Sequence, residues 1–74
     1  MEEYELKIMK LVARAENGLS EREISEKLKI KCPILRKYIH DLRHKRHVKY
    51  GGKGPDGHVV ELTREGHALL EKIQ

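Results

Sequence analysis

Between Leu19 and Leu42 the apolar residues fall into two short helical runs with almost nothing between them. Ile24 and Leu28 lie one turn apart, Leu35, Ile39 and Leu42 repeat at four- and three-residue spacing, and Pro33 stands between the two sets. Apolar residues at these intervals line one face of a helix. A proline suits the first position of a helix, because the N–H it lacks would be unpaired there anyway. The segment is therefore restricted to two short helices meeting at a tight turn, Lys29-Ile30-Lys31, with Ile30 as its apolar pin. The start of the first helix is also marked. In the capping box Ser20-Glu21-Arg22-Glu23 the serine hydroxyl can accept from the Glu23 amide while the Glu23 carboxylate reaches back to Ser20.

Upstream, Tyr4, Ile8, Leu11, Val12 and Ala15 predict a helix from about Glu2 to Glu16, stopped by Gly18. Leu6, Met9 and Ala13 form a second, thinner stripe on its far side, expected to meet another element or another subunit. Downstream, the helix opened by Cys32-Pro33 is expected to run to about Arg46. Val48-Lys49-Tyr50 and His58-Val59-Val60-Glu61-Leu62 read as two strands, joined by a turn-rich connector from Gly51 to Gly57. Thr63 can cap a last helix with Gly66, Leu69, Leu70 and Ile73 on one side, ending at or just before Gln74. The expected fold class is α+β: three helices, a β-hairpin and a C-terminal helix, in one domain spanning residues 1–74.

A domain of 74 residues buries only roughly 60% of the surface of its unfolded chain, which leaves little room for an enclosed substrate cavity. With no Phe or Trp, the core must come mostly from Leu, Ile, Val and Ala. The single Cys32 excludes an internal disulfide and a multi-cysteine zinc site, and fits a reducing compartment. The opening Met1-Glu2-Glu3-Tyr4-Glu5 is acidic where a secretory signal is basic, and no apolar run approaches the ~20 residues a bilayer requires. A cytoplasmic protein is expected.

Charge is the most informative part of the composition. Residues 27 to 53 hold ten Lys or Arg against one acid, Asp41, so this third of the chain carries +9 and the rest −5. A solvated surface usually mixes both signs, and segregation on this scale points to a polyanionic partner. On a helical wheel Arg36, Lys37, His40, Arg43, His44 and His47 occupy the arc roughly opposite Leu35, Ile39 and Leu42.

The run from Leu19 to Ile30 followed by Pro33 to Leu42 resembles the two-helix reading unit of winged helix-turn-helix proteins. The run Leu62-Thr63-Arg64-Glu65-Gly66-His67-Ala68-Leu69-Leu70 is similar to the strand-to-helix close of MarR-like and PadR-like regulators and of small archaeal winged-helix proteins. Two positions depart from the pattern: Lys29 stands where the family often has Gly, and Cys32 where it often has Ser. The resemblance implies a transcriptional regulator that binds double-stranded DNA, with the third helix in the major groove and the hairpin wing on the backbone or in the minor groove. The residues expected at DNA are Lys31, Arg36, Lys37, His40, Arg43, His44, Lys49 and Lys53, with His58 flanking the wing. Arg36 is expected to read guanine, since a guanidinium bridges two acceptors, and Lys37 to meet a phosphate. The resemblance also implies a homodimer, through Leu6, Met9, Ala13 and the last helix.

Other readings of these residues are weaker. His40, His44 and His47 share a helix face at ligand-like spacing, but their cationic neighbours disfavour a divalent ion, and no metal or cofactor is expected. Cys32, among Lys29, Lys31 and Arg36, has surroundings that favour a reactive thiol, against the plainer reading of a packing or capping residue. No phosphate loop, metalloprotease motif or nucleophile–base pair supports an enzyme. The main alternative is a winged-helix docking module of transcription or replication machinery, its basic face turned to an acidic protein. RNA binding is a third reading, weakened by the small number of aromatics available for base stacking.

Overall fold

The computed structural model describes residues 3–15, 17–55 and 57–73. Its elements follow in the order α1 (Glu3–Arg14), β1 (Leu19–Ser20), α2 (Glu21–Leu28), α3 (Cys32–His44), β2 (Val48–Gly54), β3 (Gly57–Leu62) and α4 (Arg64–Ile73). This is the α+β winged helix-turn-helix order expected from the sequence. The expected helix ends at Glu2, Glu16 and Gln74, and Asp56 of the connector, lie outside the described residues. Among those residues no helix is long and apolar enough to cross a membrane.

The core draws on every element but β1. Ile8, Met9 and Val12 of α1, Ile24 of α2, Leu35, Ile39 and Leu42 of α3, Val48 of β2, Val60 of β3 and Leu70 of α4 form one buried cluster. The second stripe of α1 meets other elements, one of its two expected outcomes: Leu6 and Ala13 are half-buried against the same cluster, and Met9 is fully buried, which corrects its expected place in a contact with another subunit. The reason is geometric: α3, β3 and α4 all pack on α1, and three neighbours cover a wider arc than a single helical partner would.

The sheet is antiparallel in the order β1-β3-β2. The two-residue strand β1, absent from the sequence expectation, pairs Leu19 with Val60 and Ser20 with Val59. Gly18 enters it at φ 81, where an added Cβ would stand 2.4 Å from the Val60 carbonyl oxygen, so only glycine fits the approach. The connector between β2 and β3 is also shorter than expected. Lys53 pairs with His58 and Gly54 with Gly57, and the register shifts between Tyr50 and Gly52, leaving Gly51 as the extra residue of a bulge.

Both helices of the reading unit end with a cation in the left-handed conformation. Lys29 has φ 57, and the Ile30 amide returns to the Ser25 carbonyl. Arg46 has φ 65, with its own amide on Arg43 O and the His47 amide on Leu42 O, both at 2.9 Å. The second pattern is a Schellman exit, usually closed by glycine because a side chain there costs roughly 1–2 kcal/mol. It ends α3 at His44, two residues before the expected Arg46, and takes His47 off the helix. Ser20 caps α2 as expected: it accepts from the Glu23 amide at 3.1 Å, and its hydroxyl donates to the Glu23 carboxylate at 3.2 Å.

Thr63 holds α4 against the end of α3. Its hydroxyl accepts from the Gly66 amide at 3.0 Å and donates to the Arg46 carbonyl, while its own amide donates to the His47 carbonyl at 3.0 Å. A Cβ on Gly66 would stand 2.2 Å from that His47 oxygen. Gly66→Ala is therefore expected to destabilise the protein by about 1–3 kcal/mol, because a backbone already hydrogen-bonded in place cannot yield. Urea unfolding checks it; an unchanged midpoint would show that α4 does not close on this carbonyl.

Candidate nucleic-acid interface

Because Leu35, Ile39 and Leu42 point into the core, α3 turns Pro33, Lys37, His40 and His44 outward, with Asp41 on the same arc. All five are exposed. Arg36 and Arg43, one heptad apart, lie on the flank of this arc that faces the wing. Ile34 and Tyr38 lie on the opposite flank, where the Tyr38 ring meets Tyr4 of α1 at 5.6 Å between centroids. Ile34 is 46% exposed, an aliphatic side chain beside Lys37 to which the sequence pattern assigns no role.

Cross-strand partners in the wing share a face of the sheet. Tyr50 opposite Val60 belongs to the face turned toward α3, and so do His58 and, opposite it, Lys53. Lys49 is opposite Glu61 on the other face. The structure thus brings Lys53 and His58 to the side of the sheet that carries α3, together with Arg36, Lys37, His40, Arg43 and His44, and places Lys49 away from them. Lys31, at the N-cap of α3, is exposed and makes no side-chain cap.

Five side chains join the wing to the reading unit. The Tyr50 hydroxyl donates to Glu21 Oε2 at 3.0 Å, and Arg36 Nε stands 3.8 Å from the same oxygen. Arg43 lies over the Tyr50 ring, 4.5 Å from its centroid, and the His58 ring stacks on Tyr50 at 4.7 Å and 28°. Glu21 is only 5% exposed, whereas the Arg36 side chain is 65% exposed. Sequence reasoning gives Glu21 no task beyond its place in the capping box and Tyr50 none beyond a strand. The only signal for either is an acid two residues before the next acid of the cap, too common to single out.

Burial holds the Tyr50 hydroxyl above its ordinary pKa of 10.0; the hydrogen bond to Glu21 and that carboxylate's charge act in the same direction, against Arg43 and Arg36.

The three histidines considered as metal ligands do not converge. His40 and His44 remain on the outward arc, while His47 follows the αL exit, its Nδ1 buried without a hydrogen-bond partner. Among the described residues no group of three or more His, Cys, Asp or Glu could hold a metal ion. Cys32 is a free, half-buried thiol in the first turn of α3.

The fold is that of MarR-family winged-helix transcription regulators. A MarR-family regulator from Rhodococcus sp. RHA1 superposes with a TM-score of 0.89 at 14% identity, covering 97% of this chain and 52% of its own. Staphylococcus aureus MepR, a transcription regulator of the multidrug efflux pump MepA, matches with a TM-score of 0.86 at 19% identity, over 97% of this chain and 54% of its own. A point mutant of the same protein bound to an oligodeoxyribonucleotide matches at 0.85 and 19% identity, over 96% and 54%. This chain therefore spans about half the length of these regulators. No protein-family model matches it, and no curated protein does.

A raised Tyr50 pKa means that the folded protein holds this proton more tightly than the unfolded chain. The stabilisation is complete below the ordinary value and is lost as pH rises through the raised one. Melting temperatures measured from about pH 9 to about 12 should fall more for the wild type than for Tyr50→Phe. Equal declines would separate Tyr50 from alkaline unfolding.

Proposed function

We propose that this chain is a double-stranded DNA-binding module of a transcriptional regulator, with α3 in the major groove and the β2–β3 wing against the backbone or in the minor groove. The observation that carries this reading is the alignment of Lys37, His40 and His44 along the outward arc of α3, with Arg36, Arg43 and the wing-tip Lys53 on the side that faces the wing. A positive surface of this kind neutralises phosphates and releases their counterions, the source of most non-specific affinity for duplex DNA. In the half of α3 nearer its N-terminus, His40 meets base edges and Lys37 a phosphate. Arg36 contributes a guanidinium suited to guanine, and Ile34 an aliphatic surface suited to a thymine methyl group. Lys31, Arg43, His44 and Lys53 contact phosphates, with Lys49 at the margin because of the face it occupies.

A neighbour of the same fold bound to an oligodeoxyribonucleotide supports DNA over an acidic protein as the partner of this face. A binding module rather than an enzyme fits the regulators that share the fold, and a cytoplasmic location fits a partner of that kind.

The test is fluorescence anisotropy of a labelled mixed-sequence duplex at several salt concentrations, with the wild type and with Arg36 and Lys37 both changed to Ala. Wild-type affinity should fall steeply with salt, and the double variant should bind more weakly, with a log–log salt slope shallower by roughly one for each phosphate it no longer neutralises. A wild type without duplex affinity at low salt would favour the docking module.

With Met9 in the core, self-association falls to α4, where Ile73 is 44% exposed and Leu69 half-buried, supplemented by the partly covered Leu6 and Ala13. A dimer would set two copies of α3 about 34–36 Å apart and favour a palindromic site. Light scattering should return twice the chain mass, reduced to the chain mass by Ile73→Glu; a monomeric wild type overturns the dimer.

A further inference from the structure

We propose that Glu21 and Tyr50 are positioning residues of the DNA face, fixing the angle of the wing against α3 and the direction of the Arg36 and Arg43 guanidinium groups, and so setting sequence selectivity rather than affinity. The inference rests on the DNA reading above and adds to it a role for two residues outside the contact surface.

Glu21 is the first residue of α2, where the N-terminal end of the helix favours a negative charge. Its side chain is 7% exposed and lies between two elements that contact DNA in the proposed reading. Tyr50 of β2 donates to Oε2 at 3.0 Å, and Arg36 of α3 approaches the same oxygen at 3.8 Å. Gly57, where the chain returns along β3, comes close enough that a Cβ there would lie 3.8 Å from Oε1. The Tyr50 ring carries Arg43 at 4.5 Å and His58 at 4.7 Å. One carboxylate and one ring therefore touch α2, α3 and both strands of the wing.

An acid on a DNA face is costly when exposed, since it repels phosphate. Covered, Glu21 keeps its pull on Arg36 while offering little surface to the duplex. The guanidinium gains a preferred direction, and the ordering cost that an untethered arginine would meet on binding is reduced beforehand. Arg43 is held similarly by the ring of Tyr50. Reading a base edge depends on direction, whereas attraction to phosphate depends mainly on charge. Loosening the clamp therefore affects the two in different ways.

The experiment uses the full chain and two duplexes: one selected by the wild type from a random-sequence pool, and a scrambled version of it. Tyr50→Phe leaves the net charge unchanged and removes the hydrogen bond. Glu21→Gln removes one negative charge beneath the face. Both variants should keep or strengthen binding to the scrambled duplex, while the selected-to-scrambled affinity ratio falls roughly tenfold, the size expected for losing one hydrogen bond to a charged group. Amide hydrogen exchange in β2 and β3 should accelerate relative to α1. A purely structural effect would reduce the active fraction equally for both duplexes and leave the ratio unchanged. Should Glu21→Gln fail to fold, Tyr50→Phe carries the test alone. A wild-type ratio in Tyr50→Phe overturns the positioning role and leaves DNA binding standing, whereas a wild type that binds neither duplex overturns both.

Discussion

The burial of Leu35, Ile39 and Leu42 sets the rotation of α3 about its axis, and the rest of the surface follows from it. Each of the three is fully removed from solvent, and burying one such side chain contributes about 1.5–3 kcal/mol. Turning the helix by one residue position, about 100°, would bring these side chains out and carry a lysine or arginine toward the core. That combination forfeits the apolar term and adds the cost of an unpaired buried charge. The outward arc of Pro33, Lys37, His40 and His44 is thus a consequence of packing, with no separate interaction needed to hold it. What packing alone does not settle is the direction of the long side chains at the edges of the arc.

The charge segregation of the sequence is partly reversed in three dimensions. Residues 27 to 53 are strongly cationic, but two acids from outside that stretch return beneath it. Glu5 of α1 takes Lys45 at 3.1 Å, and Glu21 of α2 lies 3.8 Å from Arg36; the two carboxylate side chains are 6% and 7% exposed. The cations at the edges of α3 are therefore tied down, whereas Lys37, His40 and His44 at its centre are turned to solvent. Counting charges along the chain overstates the freedom of this surface and misses its division into tethered and outward groups. The two αL cations, Lys29 and Arg46, show the same preference for positive charge over local comfort. Each stands near a helix C-terminus, where a cation meets the negative end of the helix dipole, which offsets part of the strain.

How much of this can be read from residues alone varies with the distance over which the signal acts. The α3 core stripe, the Ser20 cap of α2 and the Thr63 start of α4 are legible because periodicity and capping operate within one or two turns. A helical wheel leaves open whether Met9 meets another element or another subunit, because it shows which residues share a face but not how many neighbours close over it. The strand β1 is two residues long, too short for alternation to show, and it exists only because β3 has an edge to offer. The glycines from Gly51 to Gly57 suggest a turn, yet strand pairing uses backbone groups that every residue possesses, and most of that segment pairs. His47 reads as part of α3 because nothing in the residue type of Arg46 announces a left-handed exit. Glu21 and Tyr50 are 29 positions apart, and no local pattern records their contact.

The wing shows why such a contact matters. Beyond Tyr50, β2 consists of Gly51, Gly52, Lys53 and Gly54, none of them buried, so this end of β2 has almost no side-chain packing of its own. A two-stranded ribbon is marginally stable in water and takes its orientation from its base. Here the base is Val48 and Val60 in the core, with Tyr50 at the boundary between core and solvent. Val48 and Val60 hold the strands to the body through non-directional apolar contact, which tolerates some rocking. The Tyr50 hydroxyl bond to Glu21 is directional, and it acts at the last residue of β2 before the bulge. Any leverage on the position of Lys53 is greatest there, since the chain beyond it is supported only by its pairing with β3.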